Sequence, residues 1–503
     1  MRRLGLIVLA GTALLLGSNL AVAASDNDSD NKFSLHGEVR FRGEFFSNLT
    51  DFTDTENTTN SFDDDFDLFP YRVRLAAKGD LGHDIWVYGE FQGDGVAGGG
   101  GEENVPIRPF FGDPSAGNRI NNVDLYQGWV RWKDVGRTVL DLTFGRQEIV
   151  FDTGLHFSSL PFYNGITHDS IVAEWQWDDF GITGFWTRPN ENNLTDPSAS
   201  TDNNIGGVHF KHDVSRGRRG VEEDVAYYVF VMTQNADTIL EQDGDERGDI
   251  ITVGGRWGRK IHDRSGFDWN IEAAFQTGDY APCAPPTQPF FATTGAIPTA
   301  FGTNCTPGVK DEALDLSATV VEATGGYNWH AGSHTQRVWG QFTLATGDQD
   351  PNDGDEDAYI PLFTDFHSRL GKADQYALSN IQAFAVGYEA SVEDGKHTFG
   401  ASVWQFTKDE QEGTNFSPLT GTFIDCDAGF PGSSFPLETC DDDLGLEYDL
   451  FYNLRVSNNF SIDAALSVLD PGDAVEQKFN GFGTTTNGSD TGWRLTAQAR
   501  ARF

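Results

Sequence analysis

From Phe33 to Phe45 the chain alternates residue by residue. Phe33, Leu35, Gly37, Val39, Phe41, Gly43 and Phe45 interleave with Ser34, His36, Glu38, Arg40, Arg42 and Glu44. Successive side chains of a β-strand point to opposite faces, so this stretch reads as a strand with one apolar and one charged face. The pattern returns at 71–75, 85–88, 140–144, 251–253, 267–272, 337–342, 448–452 and 493–497. Eighteen strands are predicted, at 33–46, 68–79, 84–93, 121–132, 138–148, 169–177, 180–188, 205–213, 224–233, 250–260, 266–277, 314–328, 335–346, 378–391, 396–408, 444–457, 459–469 and 490–503.

Their connections alternate between short, as at 80–83, 133–137, 261–266 and 393–395, and long, as at 47–67, 94–120, 149–168, 278–313, 347–377, 409–443 and 470–489. An outer-membrane barrel places short turns on the periplasmic side and long loops outside, with strands that are apolar outward and polar inward. A propeller would repeat every 40–50 residues or so, and no such repeat is seen. The expected fold is therefore all-β, a transmembrane antiparallel barrel of about eighteen strands. After the first 25 residues no segment approaches the roughly 18 apolar residues of a membrane helix.

Arg2 and Arg3, the apolar run Leu4–Leu16 and Ala21-Val22-Ala23 have the layout of a secretory signal peptide. The expected organisation is a leader over 1–24 and one barrel over 25–503, addressed to the bacterial outer membrane. Export gives the cysteines a role, and Cys283 with Cys305 and Cys426 with Cys440 are candidate disulfides, each stapling its own loop. The last strand places Trp493, Leu495, Ala497, Ala499, Ala501 and Phe503 on one parity, as a closing barrel strand with an aromatic end would.

With 35 Lys+Arg against 76 Asp+Glu the net charge is −41, which excludes nucleic acid as a partner. The parity opposite the apolar one nevertheless carries Arg40, Arg42, Arg72, Arg74, Arg131, Arg256, Arg337, Arg455, Arg494, Arg500 and Arg502, with Glu38, Glu44, Glu90, Asp268, Glu272, Glu447 and Asp449. Arginine binds carboxylate in a bidentate way, so this lining points to an anion-selective lumen. Ion pairing with lumen acids is the alternative use of the same residues. The loop run Asp348–Asp357 has oxygen ligands at calcium-like spacing but lacks the EF-hand frame, so a solvated acidic loop is expected and no metal residues are assigned, with a bound divalent ion or divalent bridging to lipopolysaccharide as the alternatives. No G-x-S-x-G, H-E-x-x-H or phosphate-loop motif occurs, so neither enzyme activity nor a cofactor is expected.

Three stretches together resemble the bacterial alginate export family, whose best-known members are eighteen-stranded outer-membrane barrels. They are Phe144-Gly145-Arg146-Gln147-Glu148-Ile149; Ala345-Thr346-Gly347-Asp348 through Gly354 with Pro361-Leu362-Phe363, His367, Gly371, Asp374 and Asn380-Ile381; and Gly445–Leu450 with Ser467–Gly472. An Arg-x-Phe-Asp-Gly-like signature of the family is replaced by Phe162-Tyr163-Asn164-Gly165, and Ala464-Ala465-Leu466-Ser467 replaces a form richer in glycine and tyrosine. The resemblance implies passive passage of an anionic polysaccharide through an arginine-rich constriction, with Arg40, Arg42, Arg72, Arg74, Arg146 and Arg455 on matching strands. Expected partners are outer-membrane lipid and lipopolysaccharide, an anionic polysaccharide or small anions, and periplasmic secretion components. A general porin, or a barrel sheathing a periplasmic partner, are the alternatives.

Overall fold

The computed structural model describes residues 33–49, 66–97, 122–190, 203–236, 246–262, 264–280, 313–350, 353–413, 415–416, 423–424, 441–476 and 490–503. The expected leader and the four cysteines lie outside these residues. Eighteen long strands form the wall. They are β1 Phe33–Ser47, β2 Pro70–Gly82, β3 Ile85–Val96, β4 Asn122–Trp132, β5 Leu140–Gln147 and β6 His168–Gln176. The next six are β7 Phe180–Asn190, β8 Asn203–Asp213, β9 Val221–Ala236, β10 Glu246–Ile261, β11 Gly266–Tyr280 and β12 Leu314–Ala331. The last are β13 His334–Ala345, β14 Ile381–Val392, β15 His397–Thr407, β16 Asp443–Ser457, β17 Phe460–Pro471 and β18 Gly492–Arg502. Each predicted strand has its counterpart.

Every strand pairs antiparallel with the next, and β18 closes on β1 from Glu38↔Arg502 to Ser47↔Trp493. Closure removes the edges that would otherwise leave backbone donors unpaired in lipid. At the seam Phe503 exchanges backbone hydrogen bonds with Gly37 at 2.8 and 3.0 Å, and its ring lies where a Cβ on Gly37 would stand. Alternation of burial confirms the parity. Val39 and Phe41 are 45 % and 48 % exposed on the outer face, whereas Arg40 and Arg42 between and beyond them are buried. Trp132, Trp177, Phe180, Phe267 and Trp329 stand exposed beside the short turns, as the aromatic girdle at a membrane interface does.

Two connections expected to be external loops instead fold into the barrel. One is the segment 148–167 between β5 and β6; the other is 346–380 between β13 and β14. Leu155, Phe157, Leu160, Tyr163, Tyr359, Leu362, Phe363, Tyr376 and Leu378 of these segments are all buried, against wall residues such as Tyr228, Phe230 and Phe406. Connections this rich in large apolar side chains gain more by leaving water than by staying in it. The segments also bond to each other: Ser158 N donates to Phe363 O at 3.0 Å, Phe363 N to His156 O at 2.8 Å, and Thr364 Oγ1 to Leu155 O at 2.6 Å. The lumen thus contains a packed partition as well as a polar wall.

Candidate functional site

The first inserted segment is held by arginines of β1 and β2. Arg40 donates from Nη1 to Pro161 O at 2.9 Å and Phe162 O at 2.8 Å, and from Nη2 to Tyr163 O at 2.8 Å. Arg42 donates to Phe162 O at 2.5 Å, lies 3.9 Å over the Phe162 ring, and pairs with Glu44 at 2.6 Å. Arg72 shares itself between Tyr163 O at 2.7 Å and Glu38 at 2.6 Å. Arg74 donates to Asn164 O at 3.1 Å and lies over the Tyr126 ring. Four guanidinium groups at spacing two on adjacent strands therefore grip four consecutive carbonyls. Among the described residues, Arg40 pairs with no carboxylate: its partners are carbonyl oxygens, which orient its charge without cancelling it.

The second segment closes the grip. Asp374 receives Arg494 at 2.5 Å, the Tyr163 hydroxyl and His367 Nδ1 at 2.8 Å, while His367 stacks on Phe162 with centroids 3.5 Å apart. Arg494 also reaches Glu44 at 2.7 Å, so one buried guanidinium joins β1, β18 and the insert. Burial alone would raise the Asp374 carboxyl, but His367 and Arg494 beside it hold it well below the usual carboxylate range. Further round, Arg369 pairs with Glu322 of β12 at 2.6 Å and donates to Thr153 O at 2.6 Å. Glu447 of β16 accepts the backbone N–H groups of Lys372 and Ala373 at 2.6 and 2.9 Å.

The other predicted arginines do not join this cluster. Arg131 pairs with Asp141 and Glu174 at 2.8 Å each, and Arg337 with Asp268 at 2.6 Å, in the periplasmic half of the lumen. Arg256 pairs with Asp224 at 2.6 Å and comes within 3.5 Å of Asp152 in the first segment. Arg455 donates to Asp394 O at 2.5 Å in a periplasmic turn, and Arg502 pairs with Glu38 at 3.2 Å. Arg146 is a correction. It shares parity with Leu140, Leu142 and Phe144, so it stands on the outer face and pairs there with Asp169 at 2.7 Å. Its strand ends at the rim, where a charge in the outward row meets water and headgroups rather than acyl chains.

Strand periodicity does not reveal that His156, Tyr163, His367, Arg369 and Asp374 belong to one assembly. Aromatic and apolar density in the long connections was the available signal. In the acidic loop, Glu356 turns inward, and burial pushes its carboxyl up to about 8, with Asp348 adding to the rise. Among the described residues no group of three or more His, Cys, Asp or Glu is placed to hold a metal ion.

His156 sits at the centre of the partition, its Nε2 2.9 Å from the Tyr228 hydroxyl and its Nδ1 3.0 Å from that of Tyr359. Tyr228 donates onward to Glu272 at 3.0 Å, so the network assigns a neutral ring that donates from Nε2 and accepts at Nδ1. Burial, with the nearby Arg369 adding to it and Asp152 opposing, lowers this imidazole to about 3. Released from the core, the ring would titrate near 6.5, so the packed state binds fewer protons between these values. Its stability is complete above about pH 6.5 and falls by about 1.4 kcal/mol per pH unit below it. Acidification from pH 7 to 5 is expected to loosen the partition, seen as noisier and larger single-channel current. His156→Gln should flatten that response; identical pH profiles for the two proteins would refute the assignment.

A profile of the alginate export family matches residues 15–485. Among solved structures, OccK8 (OprE) of Pseudomonas aeruginosa superposes with a TM-score of 0.50 at 8 % identity, over 94 % of this chain and 98 % of that one. OpdK of Pseudomonas aeruginosa, solved with vanillate, gives a TM-score of 0.50 at 10 % identity, over 93 % and 99 %. At such identities the likeness concerns the barrel fold alone. No curated protein matches the chain.

Proposed function

This chain belongs to the alginate export family of outer-membrane barrels, and from that premise we propose that it passes anionic solutes, an acidic polysaccharide such as alginate fitting best, by diffusion and without a catalytic step. The supporting observation is Arg40. It forms no salt bridge with a described carboxylate and donates only to carbonyl oxygens, at the level where the first inserted segment crowds the lumen. In a low-dielectric wall such a charge acts on the aqueous path beside it and favours anions. Arg42, Arg72, Arg74 and Arg494 are shared between segment and acids, so in this reading they position the constriction while Arg40 biases it.

Planar-bilayer conductance of the refolded barrel under a salt gradient tests the proposal, with oligomannuronate then added to one side. Anion-selective current blocked by the uronate is expected, and Arg40→Ala with Arg72→Ala should move the reversal potential away from the anion limit. Unchanged reversal potentials would overturn the arginine assignment. Steady current indifferent to uronate would favour a porin for small solutes, a reading to which the partition inside the lumen lends weight. No current from the isolated barrel would favour a sheath around a periplasmic partner.

A further inference from the structure

On the outer face, in the periplasmic half, one lateral row of the wall is incomplete. The register aligns Arg259 of β10 with Trp269 of β11, Gly325 of β12, Gly340 of β13 and Val386 of β14. The neighbouring outward row, Phe267, Tyr327, Val338 and Tyr388, is bulky throughout. Two glycines side by side therefore cut a notch two strands wide, part of an open groove of about 890 Å³.

Packing within the chain does not require these glycines. A Cβ on Gly325 would meet nothing within 4 Å, and one on Gly340 only a carbonyl oxygen at 3.5 Å. Elsewhere in the wall a Cβ on Gly254 or Gly387 would collide with Tyr228 or Trp339 at 2.5 and 2.3 Å. Glycine weakens a strand interior, and a close approach from outside is one of the uses that offsets this cost. The row starts three residues into β11 from its turn, roughly 10 Å from the periplasmic end at the usual strand rise.

At the end of the notch stands Arg259, its guanidinium 4.7 Å over the Trp269 ring. Its Nε is buried and has no hydrogen-bond partner among the described residues. A cation with unspent donors beside an apolar groove, at interface depth in a membrane, matches a phosphate on an acyl chain. We propose that this notch binds one phospholipid of the periplasmic leaflet, an acyl chain lying over Gly325 and Gly340 and the phosphate on Arg259.

The test is native mass spectrometry of the full-length barrel, delipidated in detergent and titrated with palmitoyl-oleoyl phosphatidylethanolamine. Wild type is expected to retain one lipid that Gly325→Leu with Gly340→Leu loses. Arg259→Gln should weaken retention about tenfold, as loss of a charge-assisted hydrogen bond does. Heat-modifiable gel migration reports whether each variant closes its barrel, and Arg259→Gln decides alone should the filled variant not fold. Equal retention by wild type and the variants overturns the proposal. So does a wild-type dimer that separates when the notch is filled, which would assign the groove to a second copy of the chain.

Discussion

Arg494→Ala is expected to destabilise the barrel by about 3–5 kcal/mol, the range for removing one partner of a buried ion pair. Arg494 is fully buried and holds two carboxylates at once, Glu44 at 2.7 Å and Asp374 at 2.5 Å. Deleting it leaves both in a dry site with one cation fewer. Arg42 still faces Glu44 and His367 still faces Asp374, which is why total collapse is not expected. The lesion falls on the seam, since Glu44 belongs to the strand that β18 closes against. The measurement is the urea midpoint for loss of the heat-modifiable form in phospholipid vesicles, with Arg494→Lys as comparison. Lysine keeps the charge but cannot fork between two carboxylates, so it should recover only part of the loss. A midpoint unmoved in Arg494→Ala would show that the triad is not a structural bolt.

Replacing Ser158–Asn164 with a Gly-Ser run of equal length is expected to raise single-channel conductance severalfold and to deepen anion selectivity. The replaced stretch contributes Leu160, Phe162 and Tyr163 to the partition, and its carbonyls occupy Arg40, Arg42, Arg72 and Arg74. A Gly-Ser run can still offer carbonyls, but it lacks the apolar side chains that make an ordered position in the lumen favourable. Released, it would uncover four guanidinium groups facing a wider aqueous path. Reversal potentials in a salt gradient separate this from simple widening, because widening alone weakens selectivity. Larger conductance with lower anion preference would mean that the segment, rather than the arginines beneath it, carries the bias.

The strand that holds Arg40 and Arg42 was legible to within one residue. Its inward parity was legible as well, because period two is a local property of a dozen neighbours. Arg146 shows the cost of setting that reading aside. It follows Phe144 by two and belongs to the apolar row, yet a family resemblance at the strand end put it with the lumen set. Parity was the better guide. The segments 148–167 and 346–380 mark the other limit. Their length said loop and their position said external, while Leu155, Phe157, Phe162, Tyr163 and Phe363 held the information that they would not remain in water.

What the sequence by itself determined is the wall: eighteen alternating strands, the face each presents, and a membrane as the medium that accepts the outer one. What only the tertiary structure decided is what the lumen arginines hold. Arg40 meets its carbonyls across about 120 residues of chain, and Tyr163 meets Asp374 across 211. Strand periodicity is fixed by local stereochemistry and can be read from neighbours. The partition forms because closure of the barrel brings distant apolar segments and distant charges into one confined, low-dielectric space, where each stabilises the other.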